Sequence, residues 1–113
     1  MNNKRLDIDA LNELKEMLED EFNDLIETYK LDMSQKAETL SDEISGLNDD
    51  SIRKLAHSMK GASLNIGVLQ FSDLCSRLEE DAKSNRQTNY VSHLQLINQE
   101  LQAVFLELDS FIA

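Results

Sequence analysis

Few side chains in this 113-residue chain could take part in chemistry: two histidines, His57 and His93, and a single cysteine, Cys75. His57 stands in the run Leu55-Ala56-His57-Ser58-Met59-Lys60-Gly61-Ala62-Ser63-Leu64-Asn65-Ile66-Gly67. Arg53 lies one turn before it, Lys54 three residues before, Lys60 three residues after and Gly61 four after. A metal site on a helix places another His, Asp, Glu or Cys at those spacings, because only they bring a second ligand to the same face. Cations and a glycine stand there instead, and that company suits an anion on or next to the imidazole. Metal ligation from this helix is therefore not expected.

The element that carries His57 fixes where the ring points. At ~100° per residue, Ile52, Leu55, Ala56, Met59, Ala62, Ser63 and Ile66 fall within roughly 60° of one direction, the core side of a helix. His57 and Gly61 lie about 160° from that direction on the same wheel. Lys54 and Leu64 share the outward side, with Lys60 and Arg53 at its flanks. His57 is thus expected in solvent. An exposed glycine inside a helix costs about 1 kcal/mol relative to alanine, and the apolar stripe runs past Gly61 to Ile66. Gly67 is the better C-terminal cap. Gly61 instead leaves bare backbone one turn beyond the imidazole, where a second macromolecule can come close. Leu64, apolar and outward, extends the same patch.

Ordinary surface is the competing explanation for any lone histidine, and it is the one adopted for His93, which has no lysine-glycine companion. Cys75 falls in an apolar stripe and is expected to be a packed, inert thiol. The run Glu19-Asp20-Glu21 suits a solvated helix start, where the macrodipole favours acid. Glu79-Glu80-Asp81 is expected to be a solvated face.

The rest of the chain supports a helical frame. There is no proline, there are three glycines, Gly46, Gly61 and Gly67, and no Asn-Gly or Asp-Gly hairpin turn occurs. Leu11, Leu14, Leu18, Phe22, Leu25, Ile26, Tyr29 and Met33 recur at three or four residues, and Ala37, Leu40, Ile44 and Leu47 continue the pattern. A kink or break is expected in the polar patch Asp32 to Lys36. Gly46 to Asp50 forms a connection, with Asp49 or Asp50 as cap of the helix bearing His57. Phe71, Leu74, Cys75, Leu78 and Ala82 mark the next helix. Ser84 to Asn89 is a polar loop, and Val91, Leu94, Leu101, Val104, Leu108, Phe111 and Ile112 mark a last long helix. Such short loops favour antiparallel neighbours, so the expected fold is all-α: an up-and-down antiparallel four-helix bundle with a short additional N-terminal helix.

Size and charge narrow the function. A chain of this length is one domain, residues 1–113, too small to hold a nucleotide-binding kinase domain as well. Eleven Lys and Arg against 22 Asp and Glu give a net charge of −11, which repels nucleic acid and anionic membrane surfaces and leaves proteins as the expected partners. No stretch approaches the ~20 apolar residues of a membrane span. The N-terminus, Met1-Asn2-Asn3-Lys4-Arg5, leads into polar residues rather than a signal core. A single cysteine excludes an intramolecular disulfide and fits the cytoplasm. Met1 and the compact end at Ala113 favour a free-standing protein, and a monomer is the default for a small acidic bundle.

The motif His57-x-x-Lys60-Gly61, a small pair Ala62-Ser63 and then Gly67 resembles the signature of histidine-containing phosphotransfer (HPt) domains of bacterial multistep phosphorelays. The likeness runs on through Leu74, Cys75, Leu78 and Glu79, with Phe22, Leu25, Ile26 and Tyr29 in the preceding helices. It covers essentially the whole chain. Ala62 stands where serine is frequent in the family. The resemblance implies that His57 accepts a phosphoryl group from a phospho-aspartate on one receiver domain and passes it to another. Lys60 would help neutralise that group, and Gly61 would leave room for the receiver to close over His57. The Mg²⁺ and acidic pocket would come from the receiver, this chain binding no cofactor of its own. It would be a phosphocarrier without kinase activity, serving response regulators, a hybrid sensor kinase or both.

Docking would use Gly61, Leu64, Lys54 and Arg53. Leu11 and Leu14 on the N-terminal helix are weaker candidates, for which a place in the core is the favoured expectation. Two other readings remain: a bundle that binds receiver or kinase domains without being phosphorylated, and the phosphoaccepting module of a chemotaxis-type kinase.

Overall fold

The computed structural model describes residues 4–112; Met1, Asn2, Asn3 and Ala113, on which the expectation of a free-standing chain rests, lie outside them. Helix α1 spans Ile8–Leu18, α2 Glu21–Ser45, α3 Asp49–Asn65, α4 Gln70–Lys83 and α5 Tyr90–Asp109, with a short 3-10 turn at Gln87–Asn89. Helix α2 packs on α3, α3 on α4, α4 on α5, and α5 returns to α2, with α1 laid against α2. Among the described residues no strand forms, only a single antiparallel bridge between Leu6 and Val68. The all-α bundle with an extra N-terminal helix is therefore the observed fold.

The four long helices converge on one core. Phe22, Ile26, Met33, Leu40, Ile52, Ala56, Met59, Phe71, Cys75, Leu78, Ile97, Val104 and Leu108 are fully buried, each on the apolar stripe of its helix. Leu11 is fully buried as well and is no docking group, while Leu14 is half-buried and packs against the core. Burial pushes the Cys75 thiol up to about 12, which leaves it protonated and unreactive.

Two boundaries differ from expectation. Helix α2 runs unbroken through Asp32–Lys36, because Asp32 and Lys36 lie four residues apart and pair on its flank at 2.9 Å. The break falls earlier, at Glu19 and Asp20, where Glu19 takes φ 50° and caps α1 through its N–H on the Lys15 carbonyl. No glycine marks that turn, so composition alone did not reveal it. Asn48, one residue before Asp49, occupies the N-cap position of α3, and Asp49 and Asp50 lie in the first turn, where the macrodipole favours acid. Leu47 and Val91 are exposed, and Phe111 and Ile112 follow the end of α5.

The base of α3 is held by the chain's start. Gly67 takes φ 85°, a left-handed conformation that reverses the chain into α4. The Asp7 N–H donates to its carbonyl at 2.7 Å and the Leu69 N–H to the Arg5 carbonyl at 2.9 Å. Arg5 also grips α5 through Glu100 and Glu107 at 2.7 and 2.6 Å. The helix carrying His57 is thereby anchored at its C-terminal end.

Candidate functional site

His57 projects from the middle of α3 with 66% of its side chain in solvent. Its Nδ1 lies 2.9 Å from Oε2 of Glu79 on α4, and the other oxygen of that carboxylate accepts from Lys60 Nζ at 2.7 Å. Glu79 is not a solvated acid: its side chain is 7% exposed. Burial pushes its carboxyl up, but the hydrogen bonds from Lys60 and His57 outweigh burial and hold it below the ordinary carboxylate value. An ionised carboxylate only accepts, so Nδ1 carries the proton and donates. In the neutral imidazole the lone pair then belongs to Nε2, on the side of the ring away from Glu79. The buried carboxylate and its two hydrogen bonds thus fix the ring in one tautomer, with the Nε2 lone pair on its free side.

The wall beside the ring is bare. A methyl built on Gly61 meets no heavy atom within 4 Å, so nothing inside this chain requires a glycine there. Gly61→Ala is expected to raise thermal stability by a few °C, since alanine gains about 1 kcal/mol in an exposed helix interior. A bulky Gly61→Leu should leave the melting temperature near that of wild type and weaken binding of any macromolecule that approaches His57 closely. Unchanged binding by the leucine variant would show that close approach at Gly61 is not needed.

The remaining outward residues are placed as expected. Arg53 and Lys54 both pair with Asp50, at 2.7 and 3.1 Å, in exposed contacts that contribute little to stability and leave them available. Leu64 is 53% exposed on the same face. Of the small pair, Ala62 is half-buried against α2 and Ser63 is fully buried, its hydroxyl 2.6 Å from that of Tyr29. The small side chains let α2 and α3 approach, and burial drives the Tyr29 hydroxyl well above its ordinary value.

Two acidic residues and one histidine stand where they were not expected. Besides Glu79, Asp81 is buried and accepts from Arg86, Asn89 and His93 at 2.7, 3.1 and 2.6 Å. His93 is correspondingly no surface residue: its side chain is 15% exposed and Nδ1 is buried without a partner among the described residues. Only Glu80 of the acidic run is solvated. This second cluster ties the α4–α5 connection together and stands apart from His57. No group of three or more His, Cys, Asp or Glu among the described residues could hold a metal ion. No helix among them is long and apolar enough to cross a membrane.

The Hpt domain family matches this sequence over residues 24–106. The chain belongs to the Hpt domain family. Within the matched segment lie all of α3 and α4, and hence His57, Lys60 and Glu79. Among solved structures, the Hpt chain is similar to the crystal structure of histidine-containing phosphotransfer protein B (HptB) from Pseudomonas aeruginosa PAO1, at 27% identity. The two superpose with a TM-score of 0.92, covering 96% of this chain and 95% of that one. A comparison with curated proteins gave no match. Membership assigns the Hpt chain to the phosphocarriers of phosphorelays rather than to the kinases.

Proposed function

We propose that this Hpt domain carries a phosphoryl group on Nε2 of His57 between receiver domains of response regulators or of a hybrid sensor kinase. The observation that carries the reading is the buried Glu79 carboxylate on Nδ1, which leaves the exposed face of the imidazole with a lone pair. An acyl phosphate on the receiver's aspartate is attacked in line: the N–P bond forms at Nε2, the P–O bond breaks, and the aspartate leaves as a carboxylate with the bonding pair. No proton need move, because Glu79 keeps the Nδ1 proton in place throughout. Reversal with a second aspartate returns the ring to its neutral state.

Such transfers depend mainly on positioning and charge. Lys60, already beside the ring, turns from Glu79 to the incoming phosphoryl oxygens. Gly61 leaves space for the receiver's active-site wall, and Leu64, Lys54 and Arg53 form the rim on which it rests. Mg²⁺ belongs to the receiver's acidic pocket. Residues 1–113 act as one module in the cytoplasm, with no kinase activity of their own.

The test mixes the chain with a receiver domain carrying labelled phosphate and Mg²⁺ and follows the label. The expected result is acid-labile, alkali-stable phosphate on the chain within the time of a brief incubation. Binding to receivers without any transfer, across a panel of them, would contradict the reading and favour a non-phosphorylated adaptor.

A further inference from the structure

We propose that Lys83 on α4 is a second phosphoryl-binding cation of this site, stored beside His57 by Glu79 until the phosphoryl group arrives. The inference rests on His57 as the carrier. Lys83 Nζ lies 4.0 Å from Oε2 of Glu79, the same oxygen that accepts from His57 Nδ1, and 3.6 Å from Glu80. Its side chain is 50% exposed. With Asp49, Asp50 and Arg53 of α3 it lines an open cleft of about 320 Å³. The family motif explains Lys60, on the same helix as the histidine. It does not reach Lys83, which comes from the next helix and whose place depends on Glu79 one turn earlier.

Charge explains why two lysines are wanted. Glu79 and Glu80 balance Lys60 and Lys83, while Arg53 and Lys54 share the single charge of Asp50. A phosphoryl group adds nearly two negative charges to this side of the bundle. Glu79 stays committed to the ring through Nδ1, so its two ammonium partners are the groups that can turn outward. Lysine suits that movement, because its ammonium is a point charge on a flexible four-carbon stem. Held at 4.0 Å rather than at hydrogen-bond distance, Lys83 is the more weakly retained of the two.

The full chain, phosphorylated with the small-molecule donor phosphoramidate, is compared as wild type, Lys83→Ala, Lys83→Arg and Lys60→Ala. The ³¹P resonance of the phosphohistidine is titrated with pH, and partition of phosphate with a receiver domain is then measured. Removal of a cation in contact with the group moves the ³¹P midpoint to higher pH. It also lowers the equilibrium share on the carrier by about fivefold, the scale of one exposed charge contact. Lys83→Arg should restore both. The two Lys83 variants should melt with wild type, since Lys83 is half-exposed at a helix end. A Lys83→Ala protein with an unchanged ³¹P titration and unchanged partition overturns the inference while leaving His57 as carrier. A wild type that takes no phosphate on His57 overturns the carrier reading and this inference with it.

Discussion

Glu79→Gln is expected to slow phosphoryl transfer through His57 by about 10–100-fold, the usual cost of losing the carboxylate that orients a working histidine. The amide fills the same volume, so packing is kept, but its charge is gone. Its oxygen can serve Lys60 or the ring, not both as a carboxylate does at 2.7 and 2.9 Å. The ring is then free to carry its proton on either nitrogen, and the molecules with Nε2 protonated have no lone pair to offer. Lys60 loses a largely buried counter-charge, which lowers fold stability by about 1–3 kcal/mol. Two measurements separate these effects: transfer rates taken well below the melting temperature, and nitrogen NMR shifts of the unphosphorylated His57 ring. Wild type should show one dominant tautomer with the proton on Nδ1, and the variant a mixture. If the variant transfers at the wild-type rate with the same ring shifts, Glu79 does not orient the nucleophile.

Asp81→Ala is expected to damage the fold and spare the chemistry. The Asp81 carboxylate accepts from Arg86, Asn89 and His93, which brace the six-residue connection into α5. Truncating it leaves three donors without their acceptor, one of them the imidazole of His93, whose other nitrogen has no partner among the described residues. Arg86 is half exposed and can turn to water, so the cost is that of the orphaned buried donors, about 1–3 kcal/mol. In a domain of this size that lowers the melting temperature by about 5–15 °C. Transfer by the folded fraction at low temperature should match wild type, because His57 and Glu79 are not part of this network. A variant that melts with wild type would show the cluster to be incidental.

Acid should act on both carboxylates in one direction. Burial raises the Asp81 carboxyl, yet the hydrogen bonds from Arg86, Asn89 and His93 outweigh it, and the folded value lies below the ordinary 3.8. Glu79 likewise lies below 4.5. A group whose folded value is depressed adds its stability above the unfolded value and loses it as pH falls through the folded one. The wild-type domain should therefore hold its full contribution from both groups above about pH 5 and lose it progressively below pH 4.

Helical spacing located α3, α4 and most of α5, and it placed His57 and Gly61 outward, because one period describes a helix and one face of it. What spacing could not supply was anything made by two helices at once. Glu79 and Asp81 look like members of a solvated acidic run until α3 and the α4–α5 connection are laid beside them. A signal for Glu79 was present: it stands four residues after Cys75 and eight after Phe71, on the core side of α4, where an unpaired acid would be costly. The partners that make it tolerable, His57 and Lys60, were legible only as a motif on their own helix. The turn at Glu19 left no mark, since a non-glycine residue there takes the left-handed conformation. The polar patch at Asp32 to Lys36 resembled a break and is a helix flank closed by its own ion pair.

The most direct test is to map the phosphate on the protein after transfer from a phosphorylated receiver, by mass spectrometry and ¹⁵N–³¹P coupling, in wild type and His57→Gln. A single phosphoryl group bonded to Nε2 of His57, and none on the glutamine variant, is the predicted result. Phosphate bonded to Nδ1, found on His93 or a hydroxyl side chain, or retained when His57 is replaced, would contradict it.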